Sequence, residues 1–244
     1  MPAGVWGGVM NKKTRIVFIL GTGALLFLAL LDFPTPRLWS QPKRIFVPPA
    51  VMGNVQVSFG VNQIAPCFMI TVGGRRDTTS IARLDDRTNI PTNAAGNYCT
   101  SVRYPAITFN MPVKITMRSN IPGIWEAKAE GVVSALFEIM KPAFGQVISL
   151  GSIDNLTVQW RFTAGRVAIE KLDLYCADTD ETFTYDLVAG RDYFKISKLT
   201  LHPDRRYQVA LWAKVGKFKM KGPLDPSSYL EMLLHAYTEF RTTR

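Results

Sequence analysis

The sequence has few of the residues from which catalytic and metal sites are built. Only two histidines and three cysteines occur among its 244 residues. The metalloprotease, P-loop, nucleophile-elbow and dinucleotide-binding motifs are all absent. His202 and His235 fall in different predicted elements, so nothing supports their pairing as metal ligands. We therefore expect a protein that is not an enzyme and that carries no cofactor or metal.

Long blocks of like charge are also missing. The net charge is +10, but the lysines and arginines are scattered along the chain, which favours a solvated basic surface over a nucleic-acid partner. The acidic stretch that contains Asp178, Asp180 and Glu181 lacks the twelve-residue calcium loop, so a solvated loop is favoured there over a calcium site. Three cysteines are too few for a disulfide scaffold.

One long apolar run is present, over residues 16–31, and it is uncharged. It is marginal for a bilayer span, which needs roughly 17–25 residues, and it also fits the apolar part of a signal peptide. No small-x-small cleavage site or lipobox cysteine follows it, which favours a retained anchor. The residues assigned to the anchor are Ile16, Phe18, Leu20, Gly21, Gly23, Leu26, Leu31 and the interfacial Trp39.

The flanking charges give almost no preference for either orientation of the anchor in the membrane, since three basic residues precede the run and three follow it. The short basic tail favours a cytoplasmic N-terminus, with the bulk of the chain in the periplasm or outside the cell. Residues 1–33 are thus predicted as tail and single-pass anchor, and the proline-rich residues 34–50 as a stalk.

Residues 51–145 show short alternating runs separated by Gly, Pro and Asn, which predict a β-rich domain whose topology the pattern leaves open. Cys67 and Cys99 both lie in strand-like contexts of this domain. Outside the cytoplasm the two thiols could form a disulfide, although the sequence gives no distance between them.

Residues 146–223 alternate with period two and predict an antiparallel sandwich. The stretch 201–213 resembles the end of strand E and the strand F of a fibronectin type III domain. Leu201, Pro203 and Tyr207 occupy the matching positions, and Trp160 and Tyr175 match aromatic positions of strands B and C. The resemblance implies a tyrosine corner at Tyr207, whose hydroxyl bonds upstream backbone. An Ig-like sandwich of another family remains an alternative.

Residues 224–244 begin with Asp225-Pro226, a combination typical of a helix start. An apolar stripe at helical spacing follows, formed by Leu230, Leu233, Leu234 and Tyr237. We therefore expect an amphipathic C-terminal helix, which packs either on the body or on a partner.

Two further features are candidates for an interface. Lys217, Lys219 and Lys221 alternate along one strand, where they either protect a sheet edge or contact anionic lipid or an acidic partner. Trp212 points away from the predicted core, and tryptophan is enriched in interface hot spots.

Together these features predict a mainly β protein with one N-terminal transmembrane helix. The leading hypothesis is an accessory or scaffold subunit of a larger membrane complex, with the lipid bilayer and other membrane subunits as its partners. Whether that complex is respiratory, photosynthetic or secretory is left open. The alternative is a free-standing surface receptor or adhesin that binds protein or carbohydrate through its sandwich.

Overall fold

The computed structural model describes residues 46–244, and this part of the chain is built almost entirely from strands. The strands are β1 Pro49–Ser58, β2 Gln63–Val72, β3 Arg75–Arg76, β4 Ile81–Leu84, β5 Thr88–Asn89, β6 Tyr98–Cys99, β7 Val102–Arg103, β8 Pro112–Arg118, β9 Glu126–Val132, β10 Ala135–Lys141, β11 Gln146–Ser149, β12 Asn155–Gly165, β13 Lys171–Cys176, β14 Glu181–Asp186, β15 Tyr193–Ser197, β16 Arg206–Lys217, β17 Lys219–Lys221 and β18 Tyr229–Thr243. Two 3-10 turns, Leu150–Ser152 and Lys198–Thr200, are the helical segments among residues 46–244.

Three sheets contain these strands. The largest has ten strands, with the path β14-β13-β16-β18-β1-β2-β3 and with β6, β7 and β11 attached beside it. The others have the orders β10-β12-β15 and β17-β9-β8-β4-β5. Alternate residues of the strands are buried, as expected where one face of a sheet packs and the other meets water. The prediction of a mainly β body is therefore confirmed.

The first sandwich joins the five-stranded sheet to the β1-β2 end of the large sheet. Its interior contains fully buried aliphatic residues such as Val55 and Ile64 from one side and Leu84 and Ile115 from the other. β17 also belongs to this sandwich, because it pairs with β9. A stretch from near the C-terminus thus completes a sandwich that begins at Pro49.

The second sandwich places β10-β12-β15 opposite β14-β13-β16-β18. Trp160 of β12 is buried with 2% of its surface exposed, and Leu172, Leu174 and Val209 of the facing strands are fully buried. Tyr207 and Phe240 stack in the same core, with ring centroids 5.4 Å apart. The sequence prediction of an antiparallel sandwich is confirmed, and two of its strands, β10 and β18, lie outside the predicted range of residues 146–223.

β18 belongs to both sandwiches. It pairs in parallel with β1 from Tyr229 to His235 and antiparallel with β16 along most of its length. At its other end it pairs in parallel with β11, from Phe240 to Thr243. Fifteen residues at about 3.3 Å each make this strand about 50 Å long, enough to cross both cores.

The predicted C-terminal helix is wrong, because its residues form β18. Leu230, Met232, Leu234, Ala236 and Phe240 are buried at every second position, so the strand period fits this segment better than the helical one. Asp225 does form the hydrogen bond of a capping residue, but in a turn. Its carboxylate accepts a hydrogen bond from the backbone N–H of Ser227 at 2.8 Å. The same residue types start helices and turns, because both need an acceptor for an exposed N–H.

The predicted boundary between residues 145 and 146 also needs correction, since the ten-stranded sheet contains strands from both sides of it. Residues 47–244 form one compact unit. The predicted tail, anchor and most of the stalk fall in residues 1–45, outside the described residues. Among residues 46–244, no helix is long and apolar enough to cross a bilayer.

Candidate functional site

The outer face of the large sheet carries a row of stacked aromatic side chains. His235 lies between Trp212 and Tyr237, with ring centroids 4.2 Å and 5.8 Å away and interplanar angles of 28° and 19°. All three side chains are half-buried. They point away from the core because Trp212 and His235 are register partners on β16 and β18, and Tyr237 follows two residues later on the same face.

A polar network surrounds this row. The indole N–H of Trp212 donates to the carboxylate of Asp173 at 2.7 Å. Nδ1 of His235 lies 3.3 Å from the amide nitrogen of Gln56 and 3.2 Å from the hydroxyl of Ser58. Gln56 also donates to the Ser58 hydroxyl at 3.1 Å. These hydrogen bonds join β16 to β13 and β1 to β18 on the side opposite the core.

Burial lowers the pKa of His235 to about 4, and the carboxylate of Asp173 opposes this shift only in part. The neutral ring suits its surroundings, because a neutral Nδ1 accepts hydrogen bonds from Gln56 and Ser58. Protonation would place a new N–H against the amide nitrogen of Gln56, which can only donate. His235 therefore serves as a neutral, hydrogen-bonded spacer in the aromatic row.

Trp212, an interface candidate from the sequence, does lie on the outer face. Its polar edge is engaged by Asp173 and one ring face is covered by His235. Part of the ring remains accessible. Trp212 therefore links neighbouring strands of the sheet, and the accessible part of its ring can still contact another protein.

The alternating lysines lie on and next to β17, the end strand of the five-stranded sheet. Lys221 forms an ion pair with Glu130 at 2.6 Å, and the ammonium of Lys217 lies 5.4 Å from the centroid of the Tyr229 ring. Lys219 is exposed, whereas Phe218 is buried on the opposite face. The position at the end of the sheet agrees with edge protection and leaves the outer faces of the lysines accessible.

The stripe predicted for the C-terminal helix is divided between two faces of β18. Leu230 and Leu234 are fully buried in the core, whereas Leu233 and Tyr237 lie half-buried on the outer face. A continuous apolar stripe for a partner therefore does not exist. Tyr237 covers Gly60, where a Cβ would lie 3.4 Å from the tyrosine ring.

The predicted tyrosine corner has its hydrogen bond in place. The backbone N–H of His202 donates to the Tyr207 hydroxyl at 2.8 Å. Tyr207 and Leu201 are buried, while Pro203 is exposed in the turn between them. Tyr175 is half-buried, and its hydroxyl donates to Asp180 at 3.0 Å.

Cys67 and Cys99 are joined by a disulfide that crosses from β2 to β6. The third thiol, Cys176, is buried in the second core. The acidic stretch after β13 is occupied by local contacts, since Asp178 accepts from the backbone and guanidinium of Arg206. Among residues 46–244, no group of three His, Cys, Asp or Glu side chains is close enough to hold a metal ion.

Two features were missed at the level of sequence. One is the Gln56–Ser58–His235 network, which brings together residues about 180 positions apart and left no local signal. The other is the loop 119–125, an uncharged segment between Arg118 and Glu126 that carries two isoleucines. The sequence does contain a signal for this feature, since bulky aliphatic residues in an uncharged loop between two strands indicate an exposed apolar contact site.

No protein-family model matches this chain, and no curated protein does. Among solved structures, one of a 1.5-MDa bacterial ice-binding adhesin is 12% identical, with coverage of 80% of this chain and 66% of that one and a TM-score of 0.26. The fibronectin(III)-like modules of Clostridium thermocellum CbhA are 9% identical, covering 80% and 94%, with a TM-score of 0.23.

An I-band fragment of titin is 8% identical to this chain, covering 81% of it and 66% of the fragment, with a TM-score of 0.25. The chain thus spans slightly less than two thirds of the adhesin and titin structures. TM-scores of this size carry no argument about the fold, which rests on the strand pairing described above.

Proposed function

We propose that this chain is a non-catalytic, membrane-anchored accessory or scaffold subunit of a larger membrane complex. The observation that carries the proposal is the shared strand β18, which pairs with strands of both sandwiches and links them into one body. A strand about 50 Å long that runs through both sandwiches suits a spacer or clamp, because a rigid element holds neighbours at a fixed distance.

The anchor in this proposal is the uncharged run over residues 16–31. Gly21 and Gly23 give the run a small-residue patch, which permits close approach of a neighbouring transmembrane helix. The body would then lie outside the cytoplasm, where the disulfide between Cys67 and Cys99 is stable. The second sandwich, with its tyrosine corner at Tyr207, is proposed to be of the fibronectin type III kind.

A receptor or adhesin is the second candidate, and the aromatic row on the outer face favours it. Trp212 and Tyr237 present half-buried rings beside the carboxylate of Asp173 on an open sheet face. Flat aromatic surfaces with adjoining polar groups suit contacts with protein or carbohydrate.

Gentle detergent extraction of the native membrane followed by a native gel tests the proposal. A scaffold subunit should migrate with a large complex, and replacing Gly21 by Leu should release it by blocking close helix contact. Gly151→Leu, at an exposed turn of the body where a Cβ would meet only the Ser149 hydroxyl at 3.8 Å, is the matched control and should leave the complex intact. Migration of the wild-type chain alone, near its own mass of 27.3 kDa, would contradict the proposal and favour the receptor.

A further inference from the structure

The end of the body at which the chain arrives, here named the entry end, is formed by three turns. β1 begins at Pro49, which is the register partner of Val72, so the β2–β3 turn lies beside the start of the body. The backbone N–H of Asp225 donates to the Pro49 carbonyl at 2.9 Å, which places the loop 222–228 there as well. Gly222 in turn lies against β9, where a Cβ would come within 2.6 Å of the Glu126 carbonyl oxygen. The loop 119–125, which ends at β9, completes the entry end.

This last loop presents two isoleucines to solvent. Ile121 and Ile124 are 53% and 41% exposed, and no residue from 119 to 125 carries a charge. Large aliphatic side chains are normally buried in the core. Two of them exposed in one short, well-formed loop therefore indicate a contact site for a partner.

The loop is well formed. The N–H of Ser119 donates to the Trp125 carbonyl at 3.1 Å, and the N–H of Ile121 donates to the Ser119 hydroxyl at 3.1 Å. The Trp125 side chain is buried and fixes the loop to the first core. Because these two N–H groups have partners within the loop, they keep their hydrogen bonds when the loop enters a region of low water content.

Basic side chains surround the isoleucines. Arg75, Arg76 and Arg118 are exposed at this end, and among residues 46–244 neither Arg75 nor Arg118 has an acidic partner within ion-pair distance. The other charged groups here are Lys128, Lys221, Asp77, Glu126 and Asp225. These acids are engaged locally: Asp77 by the Thr79 and Ser80 hydroxyls, Glu126 by Lys128 at 3.6 Å, and Asp225 by Ser227.

The chain length permits this end to touch a membrane. Residues 32–45 separate the end of the apolar run from Phe46 and number fourteen. Even an extended proline-rich segment of this length spans only about 45 Å. An anchor in residues 16–31 would therefore keep the entry end within that distance of the bilayer.

We propose that the entry end rests on an anionic bilayer surface, with Ile121 and Ile124 inserted among the headgroups and Arg75 and Arg118 against lipid phosphates. The inference rests on the proposed membrane anchor. Apolar residues in a shallow loop together with basic neighbours are the chemistry that recognises such a surface, since burial of apolar area and attraction to anionic lipid act together. Contact at this end would hold the long body upright on the membrane.

The test uses the full chain reconstituted in vesicles of phosphatidylcholine and phosphatidylglycerol in equal amounts. Ile121→Cys and, separately, Ile124→Cys are labelled with an environment-sensitive fluorophore. Leu199→Cys is the matched control, because Leu199 is 87% exposed and lies three residues before His202, which contacts Thr242 near the other end of β18, about 40 Å away. The native cysteines do not interfere, since two are disulfide-bonded and the third is buried.

We expect blue-shifted emission from the labels at 121 and 124, and its quenching by nitroxide lipids, with neither effect at 199. If the labels at 121 and 124 match the label at 199 while the chain floats with the vesicles, the inference is overturned and the anchor stands. A chain that does not float with the vesicles overturns the anchor and the inference with it. Loss of the blue shift at both positions in the Arg75→Gln/Arg118→Gln background would confirm the role of the two arginines.

Discussion

Lowering the pH should destabilise the protein through His235 before its carboxylates are protonated. The pKa of His235 falls from the ordinary 6.5 to about 4 in the folded protein, because the ring is buried in the aromatic row. A folded-state pKa below the unfolded one means that the unfolded chain binds the extra proton first. The stabilisation is therefore complete above pH 6.5 and is lost as the pH falls towards 4.

The magnitude follows from the two pKa values. With 6.5 for the unfolded chain and about 4 for the folded protein, the loss in free energy of unfolding between about pH 7.5 and pH 4.5 is about 2 to 3 kcal/mol. The free energy of unfolding cannot change by more than about 1.4 kcal/mol per pH unit through His235, because only one proton is involved.

Urea denaturation at a series of pH values measures this loss. His235→Phe is the comparison, since phenylalanine keeps a ring between Trp212 and Tyr237 and cannot bind a proton. The variant loses the contacts to Gln56 and Ser58, so it should be less stable at neutral pH, but the difference from the wild type should shrink as the pH falls. Identical pH dependence of the two proteins would refute this account of His235.

Three further predictions concern the fold, each measured as the free energy of unfolding in urea. Reduction of the Cys67–Cys99 bond, whose cysteines are 32 residues apart, should cost roughly 3 to 4 kcal/mol by the chain-entropy model; a loss below about 1 kcal/mol would contradict it. Gly53→Ala should cost about 2 to 4 kcal/mol, because its Cβ would lie 2.5 Å from backbone atoms of β2. Gly60→Ala is the control and should be nearly neutral, since its Cβ would come no closer than 3.4 Å to another atom. Equal losses of stability in the two variants would refute the steric argument. Tyr207→Phe should cost about 1 to 3 kcal/mol, because a backbone N–H loses its acceptor, and an unchanged stability would show that water replaces the hydroxyl.

The second sandwich was largely predictable because its signals are local. Trp160 and Tyr207 stand in strands with clear period-two alternation, and the corner from Leu201 to Tyr207 is set by seven consecutive residues. The first sandwich was not predictable in topology, because β17 and β18 pair with strands about 90 and about 180 residues earlier in the chain. Such pairings depend on tertiary contacts, and the sequence pattern of a strand does not show which distant strand it pairs with.

The error at the C-terminus has a specific origin. In residues 229–243 the outer face of the strand also carries apolar side chains, Leu233 and Tyr237, because the aromatic row lies there. Adding them to the core residues Leu230 and Leu234 produces an apparent helical stripe. A strand that is apolar on parts of both faces is easily mistaken for an amphipathic helix, especially after a turn with helix-capping chemistry.

Strand β18 is expected to make residues 47–244 a single cooperative unit rather than two hinged domains. Scanning calorimetry of the full chain in detergent tests it most directly. We predict one transition for the body, with a calorimetric enthalpy equal to the van't Hoff enthalpy. Two resolved transitions, or a calorimetric enthalpy near twice the van't Hoff value, would show that the sandwiches unfold separately and would contradict the claim.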